Sequence, residues 1–286
     1  MNIRELLKEG VSFLDASDTA LLDCEVLLKH VLGVESDFLV SHIDDEVSPD
    51  MADLFMSYLE RVQEGEPIAY ITNEKEFFGL NFFVDDRVLI PRPETEHLVE
   101  AVFEYVNEIK GDSGFRILDV GTGSGNIAIS VARALSDEGV VVDIDAIDIS
   151  EDALDVARLN AEQHGVEDRI QFYQSDLLEN FDDDEDFDVI IANLPYIGEV
   201  KHRHVSGDTE KYEPNGALFA GEDGLDLYKK MFQQIVDKKL GYKRIFGEFC
   251  YGQSEDISLL LNKYFEHRWE IKKDLAGIDR MFIVSS

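Results

Sequence analysis

Basic residues are scarce in this chain: 26 lysines and arginines stand against 61 aspartates and glutamates in 286 residues, a formal charge of −35. The imbalance is not local, since residues 1–90 alone hold 20 acidic and 6 basic side chains. Phosphate backbones are bound by Lys and Arg neutralisation, so a field of this sign disfavours a nucleic-acid partner. Cysteine is nearly absent as well. Cys24 and Cys250 lie far apart without metal-ligand spacing, which leaves no disulfide framework and points to thiols in a reducing compartment. No apolar run is long enough to span a bilayer, and Met1-Asn2-Ile3-Arg4-Glu5 lacks the apolar core of a signal peptide. The expected location is the cytoplasm, with no membrane partner. There is no internal repeat and no metal constellation: His202 and His204 have no carboxylate or cysteine pattern beside them and read as a surface loop.

What is present is a chain that is 44% hydrophobic and 10% aromatic, enough to bury a sizeable core in one large and one small domain. The first seventy residues carry helical signals. Ser17-Asp18-Thr19 offers capping side chains before an apolar face that stops at Gly33, and Ser48-Pro49 opens a second helix ending near Gly65. From Phe77 to Ile90 two β-rich runs flank Asp85-Asp86, which predicts a hairpin turning at the two aspartates. Strands are then predicted over 116–120, 141–147, 170–174, 189–192, 244–249, 269–272 and 281–284, with helices between them, such as 126–135, 151–164 and 225–236. That alternation predicts an α/β fold whose parallel sheet is covered on both faces, with an antiparallel strand near the end. The acidic run 182–186 reads as a solvated loop.

Chemistry is expected where strands end. Ile117-Leu118-Asp119-Val120 runs into Gly121-Thr122-Gly123-Ser124-Gly125, a G-x-G-x-G loop unlike the G-x-G-x-x-G of dinucleotide binders. Asp119 suits an ammonium or sulfonium better than a pyrophosphate, which points to S-adenosylmethionine over NAD. Asp148, at the next strand end, can accept ribose hydroxyls. Asp176 can accept an adenine amino group while Leu177 packs on the ring. Asn193-Leu194-Pro195-Tyr196 closes the apolar run 187–192, and an amide, proline-stiffened carbonyls and an aromatic face suit a flat, uncharged NH2 group.

With these residues the chain resembles the HemK/PrmC family, methyltransferases that modify the glutamine of the Gly-Gly-Gln motif in peptide-chain release factors. The resemblance covers nearly the full length. It rests on Glu76-Phe77-Phe78-Gly79-Leu80, Ile90-Pro91-Arg92-Pro93-Glu94-Thr95-Glu96, the glycine loop, the tetrapeptide at 193–196, Tyr212-Glu213-Pro214-Asn215-Gly216-Ala217-Leu218, Gly221-Glu222-Asp223-Gly224-Leu225 and Gly247-Glu248-Phe249. One position departs: Leu194 stands where the family usually has proline, and Asn-Leu-Pro-Tyr is also similar to a motif of some RNA adenine methyltransferases.

The resemblance implies a class I S-adenosylmethionine-dependent methyltransferase, Rossmann-like with a seven-stranded sheet, plus a small N-terminal helical domain. It divides the chain into a substrate-recognition domain over 1–72, a hairpin linker over 73–91 and a methyltransferase domain over 92–286. The implied cofactor-binding residues are Asp119, Gly121, Thr122, Gly123, Ser124, Gly125, Asp148, Ile149, Asp176, Leu177 and Asn193. Asn193, Leu194, Pro195 and Tyr196 would be catalytic, and would bind substrate together with Arg92, Glu94 and Thr95. Arg92 would contact the substrate backbone or brace the domain junction. The implied partner is a release factor and the expected state a monomer. A ribosomal-protein glutamine or a nucleobase amino group is the alternative acceptor, and a non-catalytic S-adenosylmethionine sensor is disfavoured by the intact tetrapeptide.

Overall fold

Among the described residues, the helical spacing of the first seventy becomes five helices: α1 (Ile3–Phe13), α2 (Ala20–Leu32), α3 (Ser36–Ser41), α4 (Pro49–Gln63) and α5 (Ile68–Thr72). The structure, a computed structural model, describes residues 1–14, 17–109 and 114–286. Its first compact unit is Met1–Glu74. Asn2 and Glu5 form a reciprocal capping box on α1, and the Ser48 hydroxyl accepts the Met51 N–H at the start of α4. Gly33 ends α2 in the left-handed region at φ 64°. The expected cap of α2 is not made: the Thr19 hydroxyl turns to Asp23 at 2.8 Å instead of taking a backbone N–H. Leu6, Cys24, Leu27, Leu28, Phe55 and Leu59 form the unit's own fully buried core.

The second unit, Lys75–Ser286, holds the sheet. A hairpin comes first, β1 (Glu74–Phe77) and β2 (Leu80–Phe83). Its turn corrects the sequence expectation. The chain reverses at Phe78 and Gly79, with φ of 51° and 71°, and not at Asp85-Asp86; residues 88–90 are not a strand. Asp85 is engaged otherwise: its carboxylate takes the Arg87 N–H and guanidinium, and its carbonyl takes the Val88 N–H. Two left-handed residues match the twist of a two-residue hairpin, whereas an aspartate pair only favours a turn.

After a short 3-10 turn, Pro93–Thr95, the fold alternates: α6 (Glu96–Ile109), β3 (Phe115–Val120), α7 (Asn126–Asp137), β4 (Val142–Asp148), α8 (Glu151–His164), β5 (Ile170–Gln174) and β6 (Asp186–Ala192). Then follow α9 (Gly207–Tyr212), α10 (Asn215–Leu218), α11 (Asp226–Asp237), β7 (Gly241–Glu248), α12 (Ser254–Phe265), β8 (Trp269–Lys273) and β9 (Asp279–Ser285). The seven strands are ordered β5-β4-β3-β6-β7-β9-β8, the first five parallel and β9 antiparallel to both neighbours. Of the acidic run, Asp182, Asp183 and Asp184 are exposed, while Glu185 pairs with Arg116 at 2.7 Å and Asp186 opens β6.

Apolar residues fill both faces. Ile117, Ile144, Val189 and Ile191 pack with α6 and α7 on one side; Leu118, Val120 and Ile190 pack with Tyr228, Phe232 and Leu261 on the other. Among the described residues no helix is long and apolar enough to cross a membrane.

Strand order and register fix where the site lies. The chain winds outward from β3 to β5, then returns to place β6 on the other side of β3, which makes the β3/β6 boundary the topological switch point. Val120 is level with both Ile147 and Ala192, and Ala192 with Gly247. The glycine loop, Asp148, Asn193 and Glu248 therefore leave the sheet at one level.

Candidate active site

The glycine loop is held from beneath. The N–H groups of Gly121 and Thr122 donate to the Ile147 carbonyl at 2.8 and 2.9 Å, and the Gly123 N–H donates to Asp148 Oδ2 at 2.9 Å. Fully buried Asn160 donates to the Ser124 carbonyl at 2.9 Å and exchanges two further hydrogen bonds with the backbone of Phe83. Gly125 sits at φ 80°, and a Cβ there would lie 2.9 Å from Ile129 Cδ1 and 3.2 Å from Ala157 Cβ, so only glycine lets α7 approach α8 this closely.

A cavity of about 470 Å³, in the size range of cofactor sites, opens above this loop. Its wall includes Gly121, Thr122, Gly123, Ser124, Asp148, Ile149, Asp176, Leu177, Arg92, Thr95, Asn193, Leu194 and Pro195. A second cavity of about 290 Å³ adjoins it, sharing Arg92, Asn193, Leu194 and Pro195, and adding Tyr196, His204, Ser206 and Thr209. Most sequence-nominated residues thus converge, with three exceptions. Asp119 and Gly125 line neither cavity and support the loop from behind. Glu94 also lines neither, lying instead with His97 and Arg280 in a small separate recess.

The position of Asp119 departs from the expectation that it would sit beside a ligand cation. It is fully buried, with Oδ2 accepting the Thr122 hydroxyl at 2.7 Å and Oδ1 unpartnered among the described residues. Burial pushes its pKa up to about 7; the neighbouring Asp148 charge adds to this, while the Thr122 hydroxyl and the Ala128 N–H oppose it. Asp148 does face the cavity, each of its oxygens fixed by a backbone N–H, from Gly123 and Ser150. Ser150, not Asp148, caps α8 through the Ala153 N–H. Asp176 reaches the wall with its Oδ2 held by Lys230 at 2.5 Å. Leu177 adopts the left-handed region at φ 53°, a strained conformation of the kind that clusters at ligand sites.

Both arginines of the first cavity are already neutralised. Arg87 pairs with Asp85 at 2.6 Å and Arg92 with buried Glu213 at 2.5 Å. Glu213 also accepts the Ile90 N–H at 3.1 Å, so Arg92 braces the 90–92 segment against the 213–218 segment within this unit.

The tetrapeptide is clamped on every side. Leu194 is 2% exposed, and its Cδ2 lies only 3.1 Å from where a Cβ on Gly121 would be. Buried Tyr228 brings its hydroxyl within 3.0 Å of the Ala192 carbonyl and 2.5 Å of the Glu248 carbonyl. Gln253 donates to the Tyr196 carbonyl at 2.8 Å. Gly224 packs so tightly here that a Cβ would fall 2.1 Å from that carbonyl. Asn193 Nδ2 donates to Thr95 Oγ1 at 3.1 Å, and the Tyr196 hydroxyl donates to Glu248 Oε1 at 3.1 Å. The short-range sequence patterns give no role to Glu213, Tyr228, Glu248 or Gln253. The signal for Glu213 and Glu248 was a charged residue inside an otherwise apolar or turn-like motif.

Comparison with known proteins agrees with this architecture. Residues 5–72 match a family model described as the PrmC N-terminal domain, and residues 111–240 one described as a methyltransferase domain. The release factor glutamine methyltransferase of Bacillus cereus is 36% identical over 283 residues, 98% of each chain. That of Koribacter versatilis is 33% identical over 286 residues, 99% of this chain and 98% of its own. The N-terminal domain of human METTL16 in complex with SAH superposes with a TM-score of 0.53 at 15% identity, covering 90% of this chain and 93% of that one, a likeness of fold alone. Identity at this level through both units makes the chain a member of the release factor glutamine methyltransferase family.

Proposed function

We propose that this enzyme methylates the side-chain amide nitrogen of a release factor glutamine, the one in the Gly-Gly-Gln motif. The observation that carries the reading is Asn193 on the wall shared by the two cavities, its NH2 turned to Thr95 and its carbonyl oxygen left to accept. The cofactor is S-adenosylmethionine, which when bound supplies a methyl group activated on a positively charged sulfur. The first cavity fits it: a glycine loop allows close approach, Asp148 presents a preset carboxylate for ribose hydroxyls, and Ile149 and Leu177 offer apolar contact for a base. The second cavity takes the acceptor side chain.

An amide nitrogen is a poor nucleophile because its lone pair is delocalised. The chain's own residues act on this by orientation. Asn193 Oδ1 and the Leu194 carbonyl accept the two hydrogens of the acceptor NH2, and Tyr196 bounds the amide plane. Clamped donors and acceptors need no reorganisation during the reaction, which is where most of the rate gain would arise. Arg92, locked to Glu213, shapes the shared wall. Glu94, outside both cavities, is proposed to meet the substrate only at the surface.

We further assign substrate recognition to the helical unit, residues 1–72, with the hairpin region 73–91 leading into the methyltransferase domain, 92–286. The unit exposes Leu21, Leu22, Val40 and Leu54, apolar surface that a protein partner can cover. Release factors act in the cytoplasm, where we place the enzyme as a monomer, and a charge of −35 argues against a nucleic-acid substrate.

Incubation with labelled S-adenosylmethionine and purified release factor, followed by mass-spectrometric mapping, should place the label on the Gly-Gly-Gln glutamine. Label found only on ribosomal protein or RNA would refute the reading. Asp148→Ala should weaken cofactor binding by about 1–3 kcal/mol in a titration, the cost of leaving buried polar partners unpaired. Unchanged affinity would remove Asp148 from the site.

A further inference from the structure

The turn after β5 forms one wall of the first cavity, through Asp176 and Leu177. The Ser175 hydroxyl ties this turn to itself, donating to the Leu177 carbonyl at 2.6 Å and accepting the Asn180 N–H at 3.3 Å. The rest of the grip comes from one face of α11. Lys230, Gln234 and, at the helix C-cap, Lys238 are four residues apart and share that face. Gln234 Oε1 accepts the Leu178 N–H at 3.0 Å, and Lys238 Nζ donates to the Phe181 carbonyl at 2.6 Å. Lys230 differs from both because it meets side chains. Its Nζ lies 2.5 Å from Asp176 Oδ2 and 2.9 Å from Glu179 Oε1.

An ion pair between half-exposed side chains adds little to stability, so folding alone does not account for the contact. Its effect falls on the cavity wall. Without Lys230, Asp176 and Glu179 would be two like charges on one turn, and Asp176 would be free to rotate into solvent. With Lys230 in place, Oδ2 is occupied and Oδ1 is left to a ligand at a fixed angle. Ile149 and Leu177 line the same cavity and offer apolar contact to the faces of a flat base. A base whose edge carries an amino group can donate to Oδ1. A base with oxygen at that position would set two acceptors against each other.

We infer that Lys230 is a positioning residue that fixes Asp176 to read the amino group of the cofactor's adenine, making the cavity selective against bases with oxygen there. The inference rests on the cofactor placement proposed above and does not depend on which acceptor is methylated. Gln234 and Lys238 touch only backbone in this turn, so they hold it without selecting the base.

The test is equilibrium binding of S-adenosylhomocysteine and S-inosylhomocysteine to the full-length protein, which needs no acceptor. The second compound carries oxygen where the first carries the amino group. The parent should prefer the adenosyl compound about 10–100-fold, the range for a hydrogen bond to a charged group. Lys230→Met removes the charge at similar length and should cut that preference about 3–10-fold, because Asp176 must then be ordered at the moment of binding. Lys230→Arg keeps a charged donor and should hold the preference within about twofold of the parent. Asp176→Ala should abolish the preference, and adding Lys230→Met to it should change nothing further. A preference is a ratio, so any loss of folded protein in a variant cancels. If Lys230→Met weakens both compounds alike, as Gln234→Ala should, Lys230 only braces the turn and the inference is overturned. A parent without preference, or an Asp176→Ala variant that keeps it, would remove the base from Asp176 and overturn both the proposed cofactor placement and the inference. Loss of the preference in Asp176→Ala with full retention in Lys230→Met would overturn the inference alone.

Discussion

Replacing Asn193 with alanine is expected to lower turnover on release factor by about 10²–10³-fold, the usual effect of deleting one preorganised polar contact to a reacting group. The side chain does two things that alanine cannot. It presents Oδ1 to an acceptor NH2, and it closes the contact to Thr95 at 3.1 Å. Because Asn193 also lines the first cavity, a modest loss of cofactor affinity should accompany the fall in kcat. Single-turnover measurement at saturating cofactor separates the two, and a parent-like single-turnover rate would sink the amide-clamp mechanism. Leu194→Pro gives the contrasting result. It keeps the carbonyl and removes only the Leu194 N–H, so activity should persist within about tenfold. A shift of activity from a nucleobase to glutamine in that variant would favour the alternative acceptor.

Asp119→Asn is expected to raise stability, and by more at high pH than at low. The Asp119 pKa is raised from 3.8 to about 7, chiefly by burial. The folded protein therefore holds a proton that the unfolded chain releases near pH 4, and stability falls as pH rises from about 4 towards 7. Asparagine carries no such charge and still accepts the Thr122 hydroxyl. At about 1.4 kcal/mol per pK unit, the advantage of the variant should widen by roughly 2–3 kcal/mol between about pH 5 and pH 8. Urea unfolding at the two values measures it. A pH-independent difference would mean that Asp119 is not the buried acid described.

Much of this was legible locally. The G-x-G-x-G loop, the acid closing β4 and the tetrapeptide closing β6 are short-range patterns, and strand ends are where open α/β sheets place ligands. Adjacency misled at two points. Asp119 borders the glycine loop in sequence, but its side chain turns beneath the loop to Thr122 and Ala128 at the start of α7. The aspartates at 85 and 86 carry turn-favouring chemistry, while the hairpin turns at Phe78, whose positive φ no propensity rule favours.

The alternation of strands and helices, the cofactor loop, the absence of membrane-length apolar runs and the residues that could meet an NH2 group are all written in the order of the amino acids. Those follow from periodicity and from side chains a few positions apart. Which atom of Asn193 is offered, and which acids are buried, depends on how the chain folds. The contacts responsible cross 98 residues from Asn193 to Thr95 and 52 from Tyr196 to Glu248. An amide can donate or accept with either end turned inward, so its polarity is set by partners that only the register of β6 against β7 and the Pro93–Thr95 turn bring beside it.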